Sequence, residues 1–222
     1  MKTYKYLGLI TTLYIAFQLI SDVTAGKIIQ LGIFTVSATV LYFPITYIFA
    51  DILTEVYGYA KARSVVWQAF LASVIAGLIY QLVVWLPPAM GFDANDAYTR
   101  VLGSVPRILI GGWVAVWVGG IINDYVLAKM KIWTNGKYLW MRTIGSTIVG
   151  EGANTFLFYT IALSGILPSN LLVSSILSGW LLKVLVETVL TPVTYVVVNK
   201  LKKAENEDYY DRNTDFNPLI VK

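Results

Sequence analysis

Cysteine and histidine are both missing from this chain of 222 residues. Without cysteine there is no disulfide and no thiol nucleophile, and without histidine there is neither the commonest metal ligand nor the usual general base. Charged side chains are also scarce, at 14% of the residues, compared with about 25% in an average soluble protein. We therefore expect a protein that is not an enzyme and that needs no cofactor and no resident metal.

Apolar residues are abundant instead, at 57% of the chain, and the mean hydropathy is +0.65. A helix needs about 20 apolar residues to cross a bilayer, and six segments approach that length: 6–25, 33–55, 64–86, 101–128, 143–163 and 171–198. The sequence predicts an all-α integral membrane protein whose six transmembrane helices occupy residues 1–200. Residues 201–222 are polar and rich in acids, which predicts a disordered cytoplasmic tail.

The basic residues indicate the orientation of these helices, because lysine and arginine concentrate in cytoplasmic loops. Six crossings place both termini on one side, and thirteen of the seventeen basic residues fall on that side: Lys2, Lys5, Lys61, Arg63, Lys129, Lys131, Lys137, Arg142, Lys200, Lys202, Lys203, Arg212 and Lys222. We therefore predict that both termini are cytoplasmic.

Eight charged residues lie within or at the ends of the apolar segments: Asp22, Asp51, Glu55, Arg107, Asp124, Glu151, Lys183 and Glu187. An ionised group in a bilayer is costly unless it is paired or faces water, so each is a candidate for function. The alternative is a structural role. Lys183 and Glu187 are one helical turn apart and could simply pair, and Arg107 could anchor its helix at the membrane surface.

Depth in the bilayer singles out part of this set. Counted at about 1.5 Å per residue, Glu151 and Lys183 come near the middle of their helices, where transporters place their substrates. Asn154 lies three residues after Glu151 and shares its helix face. We expect these side chains to form the centre of a binding site.

Residues 43–63, FPITYIFADILTEVYGYAKAR, combine an apolar run with two acids, Asp51 and Glu55, on one helix face. Pro44 precedes the acids and removes a backbone hydrogen bond, which predicts a kink or an unwound turn there, and Lys61 and Arg63 are the nearby cations. The acids are equally open to a structural role, with those two bases as partners.

This stretch resembles the signature of the queuosine precursor transporters, or VUT family. Further matches are Arg107 with Asp124, the pair Ser146 and Thr147, the segment GEGANTF at 150–156, and Lys183 followed by Pro192. The family pattern often has aspartate where this chain has Asn154.

The resemblance implies import of 7-deazaguanine bases such as preQ0 and preQ1 across the bacterial inner membrane, with no nucleic acid as partner. For such a base we predict that Glu151, Asn154, Lys183, Glu187, Asp22 and Arg107 bind substrate, and that Asp51, Glu55 and Asp124 serve coupling or gating.

Two other functions stay open. The helix count also resembles the substrate-binding subunits of energy-coupling-factor transporters, which depend on a separate ATPase, and this chain has no GxxxxGK phosphate loop of its own. An intramembrane enzyme that uses paired acids is the least favoured.

Small residues recur every four positions at Gly111, Ala115 and Gly119. Such a stripe lets two helices approach closely. We predict that it packs against another helix of the same chain, with a homodimer partner as the alternative.

Overall fold

The computed structural model describes residues 3–32, 34–103, 105–164 and 168–220. The α-helices are α1 (Leu7–Thr24), α2 (Pro44–Tyr57), α3 (Tyr59–Trp85), α4 (Asn95–Gly103), α5 (Val105–Trp133), α6 (Leu139–Phe158) and α7 (Ser169–Glu205). Strands β1 (Ile28–Leu31) and β2 (Phe34–Ser37) form an antiparallel hairpin, a 3-10 turn spans Ala38–Leu41, and a π-helical turn spans Tyr159–Leu163.

Four of these helices are long and apolar enough to cross a membrane: α1, α3, Leu109–Trp133 of α5 and Leu171–Glu205 of α7. Their outward faces are apolar. Along α7 the exposed residues recur every three or four positions, at Leu177, Leu181, Leu185, Val189, Val193 and Val196. This face suits contact with lipid, and the structure agrees with the predicted all-α membrane protein.

The inward faces carry the polar residues. In α6 the buried side recurs at helical spacing through Arg142, Ser146, Thr147, Glu151 and Asn154. In α7 it runs through Ser175, Lys183, Glu187, Thr191 and Thr194. Helices with apolar outsides and polar insides build a polar interior within the membrane region.

The second predicted helix, 33–55, differs from the structure. The chain forms β2 and the 3-10 turn first, and α2 begins only at Pro44, which occupies its first turn. Proline at that position needs no hydrogen-bonded N–H, so it starts the helix and does not kink it. The backbone before Asp51 and Glu55 is therefore unwound, which is one of the two alternatives predicted from Pro44. At 14 residues, α2 is about 21 Å long, which is too short to cross alone.

The predicted fourth helix, 101–128, divides between the end of α4 at Gly103 and α5, which begins at Val105. The predicted fifth and sixth helices correspond to α6, extended by the π-helical turn, and to α7. The sequence thus identifies these segments, although α7 continues seven residues beyond its predicted end at 198, to Glu205.

Helices α5 and α6 pack closely through small residues. A Cβ atom on Gly119 would lie 2.7 Å from Asn154 Cβ and 2.8 Å from Gly150 O, and one on Gly111 would lie 3.1 Å from Ala162 Cβ. The stripe of small residues is therefore occupied within the chain, as its preferred interpretation predicts. It supplies no argument for a homodimer.

Both termini of the described chain lie at one end of the bundle. Lys5 N and Tyr6 N donate to the Glu205 carboxylate over 2.9 and 2.6 Å, and Tyr57 Oη donates to the same group over 3.0 Å. The hairpin and α4 lie at the ends of α1 and α3 that point away from this contact. We call the two ends of the bundle the terminal end and the hairpin end.

Residues of the segment 201–222, predicted as a disordered tail, contact the terminal end in the structure. Asp211 is buried and accepts two hydrogen bonds from Tyr59 N at the start of α3, while Arg63 Nη1 donates to the carbonyl oxygens of Asp215 and Asn217. Asp211, one of the acids that made the segment look solvated, thus has a buried donor.

Candidate functional site

A small pocket, partly open to its surroundings, lies between α1, the 3-10 turn, α5, α6 and α7. Its walls include the polar residues Gln18, Asp22, Asn154 and Lys183 and the rings of Phe43 and Phe158. The unwound segment before α2 lines it as well, which fits the rule that irregular backbone within a membrane borders a cavity. Three predicted substrate residues therefore meet here: Asp22, Asn154 and Lys183.

Lys183 is the centre of the polar wall. Its Nζ donates to Glu151 Oε2 over 2.9 Å, to Asn154 Oδ1 over 3.1 Å and to Thr155 Oγ1 over 3.3 Å. The ammonium also lies 4.5 Å from the centre of the Phe43 ring. Because all of these groups come from the buried faces of α6 and α7 and from the turn before α2, the helices fix the cation at the pocket wall.

Asp22 forms the opposite polar wall. Gln18 Nε2, one turn earlier on α1, donates to its Oδ1 over 2.9 Å, and Ser73 Oγ of α3 donates to its Oδ2 over 2.5 Å. These donors orient the carboxylate toward the pocket. Asp22 is half-buried and lines the pocket, whereas the sequence left open whether it enters the membrane or lies at its outer edge.

Two buried polar atoms at the pocket have no hydrogen-bond partner in the part of the chain that the structure describes. They are Gln18 Oε1, an acceptor, and Asn154 Nδ2, a donor. An unpaired buried polar group costs about 1–3 kcal/mol. A ligand that offers a donor to the first and an acceptor to the second would satisfy both.

The other three predicted substrate residues lie outside the lining of this pocket, as far as the described residues show. Glu151 is buried and holds Lys183, so it positions the cation from behind. Glu187 is buried one turn further along α7 and is not paired with Lys183. Arg107 is exposed and donates to the carbonyl oxygens of Ile161 and Ser164, so it fixes the π-helical turn at the hairpin end.

The predicted coupling residues lie between the pocket and the terminal end. Asp51 Oδ1 accepts a hydrogen bond from Asn123 Nδ2 over 2.8 Å, and Asp124 Oδ1 accepts one from Thr54 Oγ1 over 2.9 Å. All four groups are buried. These two hydrogen bonds join α2 to α5 on the side of the pocket that faces the terminal end.

Glu55 is the centre of a cation cluster. Its Oε1 lies 2.7 Å from Arg142 Nη2, 2.6 Å from Lys202 Nζ and 3.6 Å from Lys131 Nζ. The expected partners, Lys61 and Arg63, are not part of this cluster within the described residues, because Arg63 is engaged by the tail. The cluster joins α2, α5, α6 and α7 at the terminal end.

Asp208 of the tail extends the same cluster. It lies 2.6 Å from Lys131 Nζ and 2.8 Å from Lys202 Nζ. Partial burial acts against its charge, but the hydrogen bonds from the two lysines outweigh burial and lower the pKa of Asp208. The tail is thus held by charge as well as by backbone contacts.

No group of three or more acidic side chains that could hold a metal ion occurs in residues 3–32, 34–103, 105–164 and 168–220. The arrangement of the pocket is suited to binding a flat polar molecule: aromatic rings, a cation, a carboxylate and two unpaired amide atoms.

Among the pocket residues that were not predicted from the sequence, three belong to the proposed pattern of amides and rings: Gln18, Phe43 and Phe158. One signal was available for Gln18, which precedes Asp22 by four residues and therefore shares its helix face. Phenylalanine is so common in membrane helices that neither ring stood out.

Residues 37–197 match the family described as "Putative vitamin uptake transporter". The chain is 29% identical over 156 residues to a Bacillus subtilis protein named "Probable queuosine precursor transporter", covering 70% of this chain and 68% of the relative. It is 24% identical over 125 residues to a Haemophilus influenzae protein of the same name, covering 55% of this chain and 49% of the relative, about half of that protein's length.

No solved structure gives a significant match. The family match spans more than half of the chain and includes the unwound turn, α2 and the polar faces of α6 and α7. The chain is therefore a multi-pass membrane protein that belongs to the vitamin uptake transporter (VUT) family.

Proposed function

We propose that this protein imports queuosine precursors, 7-deazaguanine bases such as preQ0 and preQ1, across the bacterial cytoplasmic membrane by alternating access. The names of the two relatives support the substrate class. One observation about the pocket supports the proposal most: an unpaired acceptor, Gln18 Oε1, and an unpaired donor, Asn154 Nδ2, share a small cavity with Lys183.

The hydrogen-bonding edge of a deazaguanine carries a ring N–H, an exocyclic amine and a carbonyl oxygen. In the proposed pose, Gln18 Oε1 and the Asp22 carboxylate accept from the N–H and the amine. Asn154 Nδ2 and Lys183 Nζ donate to the carbonyl oxygen, and Phe43 and Phe158 pack on the faces of the ring. Glu151 is assigned a positioning role through its hydrogen bond from Lys183.

Alternating access is supported by the difference between the two ends. Three contacts follow one another from the pocket toward the terminal end: Asp51 with Asn123, Asp124 with Thr54, and Glu55 with its cations. We assign these three acids to the closed gate of this state. With six crossings and cytoplasmic termini, the gate faces the cytoplasm and the pocket is loaded from outside.

The decisive experiment measures binding of preQ0, preQ1, queuine and guanine to purified protein, and then uptake of the tightest ligand into liposomes. Gln18→Met and Asn154→Leu keep the side-chain size but remove the amide, so each loses its unpaired atom together with one contact of the pocket wall, to Asp22 or to Lys183. The affinity for preQ0 should fall about tenfold or more in each variant. Gln68→Met makes the same change at an exposed site on α3 and serves as the control.

Wild-type affinity in the folded Gln18→Met and Asn154→Leu proteins would contradict the proposed pose. Binding without uptake into liposomes would contradict autonomous transport and favour the alternative, a substrate-binding subunit that needs a separate ATPase. Absence of binding to all four bases would overturn the substrate class.

A further inference from the structure

Glu187 on α7 is a buried carboxylate that the proposed pose leaves unused. Its side chain has no solvent-exposed surface, and neither Oε1 nor Oε2 has a hydrogen-bond partner within the described residues. Lys183, one turn earlier on the same helix, donates instead to Glu151, Asn154 and Thr155.

Other acids surround Glu187. Asp51 of α2 is close enough for the two carboxylates to repel each other when both are ionised, and Glu151 of α6 repels Glu187 as well. Asp51 Oδ2 has no hydrogen-bond partner among the described residues either. Asp124 of α5 and Glu55 of α2 add negative charge near Asp51.

The cations of this region are engaged elsewhere. Glu55 holds Arg142, Lys131 and Lys202, and Glu151 holds Lys183. Strand β2, which also packs on α7, has no titratable side chain. Glu187 and Asp51 thus lie buried on the packed helices α7 and α2, and no cation is paired with either in the part of the chain that the structure describes.

An ionised carboxylate in such surroundings costs several kcal/mol, and two facing each other cost more. A bound proton removes this cost, because a neutral carboxylic acid carries no charge to desolvate. We propose that Glu187, with Asp51 beside it, is the binding site of a proton that is transported together with the base. This inference rests on the proposed function and adds its energy source.

Lys183 links the proton to the substrate. With Glu187 protonated, Lys183 stays at the pocket wall beside Glu151 and Asn154, in position for the carbonyl oxygen of the base. Once Glu187 releases its proton, its carboxylate competes for the same ammonium from one turn away. Withdrawal of the cation then weakens the hold on the base.

The helix at this point can change shape. Pro192 lies inside α7 and cannot donate to the carbonyl of Thr188, and Thr191 Oγ1 donates to the Glu187 carbonyl oxygen over 2.9 Å.

In each transport cycle, one proton binds a Glu187 oxygen from outside and leaves to the cytoplasm with one base. For a neutral base such as preQ0, one positive charge crosses.

The test uses full-length protein in liposomes with radiolabelled preQ0. In the wild type, an inward proton gradient should accelerate uptake, and affinity should fall as pH rises. In Glu187→Gln, a permanent mimic of the protonated acid, exchange of internal for external preQ0 should persist. The gradient should no longer accelerate uptake in this variant, and affinity should no longer vary with pH.

Glu187→Asp keeps the titratable group and should retain the response to the gradient, whereas Asp96→Asn removes an exposed acid on α4 and serves as the control. A folded Glu187→Gln protein that still responds to the gradient would overturn the proposal. The proposal would also be overturned if Asp51→Asn lost the response to the gradient while Glu187→Gln kept it. Complete loss of preQ0 binding at every pH by a folded Glu187→Gln protein would overturn it as well.

Infrared spectroscopy separates failure of this inference from failure of the proposed function, because it needs no substrate. A protonated buried acid has a C=O stretching band that ionised carboxylates lack. The wild type should show this band at neutral pH and Glu187→Gln should weaken it by the contribution of Glu187, even if the transported molecule is not a deazaguanine. An identical band in both proteins would overturn the proton site.

Discussion

Lys183 and Glu151 form the contact at the pocket that matters most at the scale of single residues. Glu151 does not line the pocket but receives a 2.9 Å hydrogen bond from Lys183. Glu151→Gln should therefore lower the affinity for preQ0 indirectly, by weakening the hold on the cation, and we expect a loss of about tenfold.

A double-mutant cycle tests that indirect role. If Glu151 acts through Lys183, then adding Glu151→Gln to Lys183→Met should cost no further affinity, because the contact is already gone. Calorimetric titration of preQ0 into all four proteins provides the measurement, with their melting temperatures as the check on folding. Additive losses would show that Glu151 contacts the base itself.

Of the residues that line the pocket, the sequence prediction includes Asp22, Asn154 and Lys183 but not Gln18, Phe43 or Phe158. Asp22, Asn154 and Lys183 stood out because charge and amide groups are expensive inside a membrane. The two phenylalanines carry no comparable signal, and the amide of Gln18, four residues before Asp22, was overlooked. The pairing of Lys183 with Glu151 in preference to Glu187 could not be predicted either, because it depends on which face of α6 meets α7.

The tail illustrates contacts between elements that hydropathy cannot reveal. Asp211 accepts hydrogen bonds of 3.1 and 3.0 Å from Tyr59 N, so a residue far along the chain caps the start of α3. Asp211→Ala should leave this buried N–H unsatisfied and destabilise the protein by about 1–3 kcal/mol. Thermal unfolding in detergent would measure the change.

Asp215→Asn is the control, because it removes an equal charge from an exposed position in the same segment and keeps the side-chain oxygen that accepts from Asn217 N. We expect its effect to stay within about 0.5 kcal/mol. Equal melting temperatures for the Asp211→Ala and wild-type proteins would mean that the tail does not cap α3.

The elements that were predicted well are the long apolar helices, and those predicted poorly are the short ones. An apolar run over 33–55 has the same hydropathy whether it is a helix or a hairpin, a 3-10 turn and a buried helix. The structure of this segment is decided by its surroundings, because other parts of the protein pack around α2 and bury residues such as Asp51, Thr54 and Glu55. That burial depends on the other helices and cannot be read from this segment alone.

At the scale of the whole molecule, the two ends of the bundle differ in charge, and this difference makes the orientation testable. The terminal end gathers Lys131, Arg142 and Lys202 around Glu55, while the exposed helix α4 lies at the hairpin end. The positive-inside rule then predicts a cytoplasmic terminal end and an external α4.

Because the chain has no cysteine, single cysteines can report this orientation directly. Asp96 on α4 and Lys203 near the end of α7 are both exposed, so Asp96→Cys and Lys203→Cys should leave the packing intact. A membrane-impermeant maleimide should label Asp96→Cys in intact cells and Lys203→Cys only after permeabilisation. Lys61→Cys, exposed at the start of α3, should behave like Lys203→Cys, since an even number of crossings returns the chain to the side where α3 begins. If the cysteines at 96 and 203 were labelled from the same side, six crossings would be excluded. If the labelling pattern were reversed, the gate around Glu55 would lie outside and the pocket would open toward the cytoplasm.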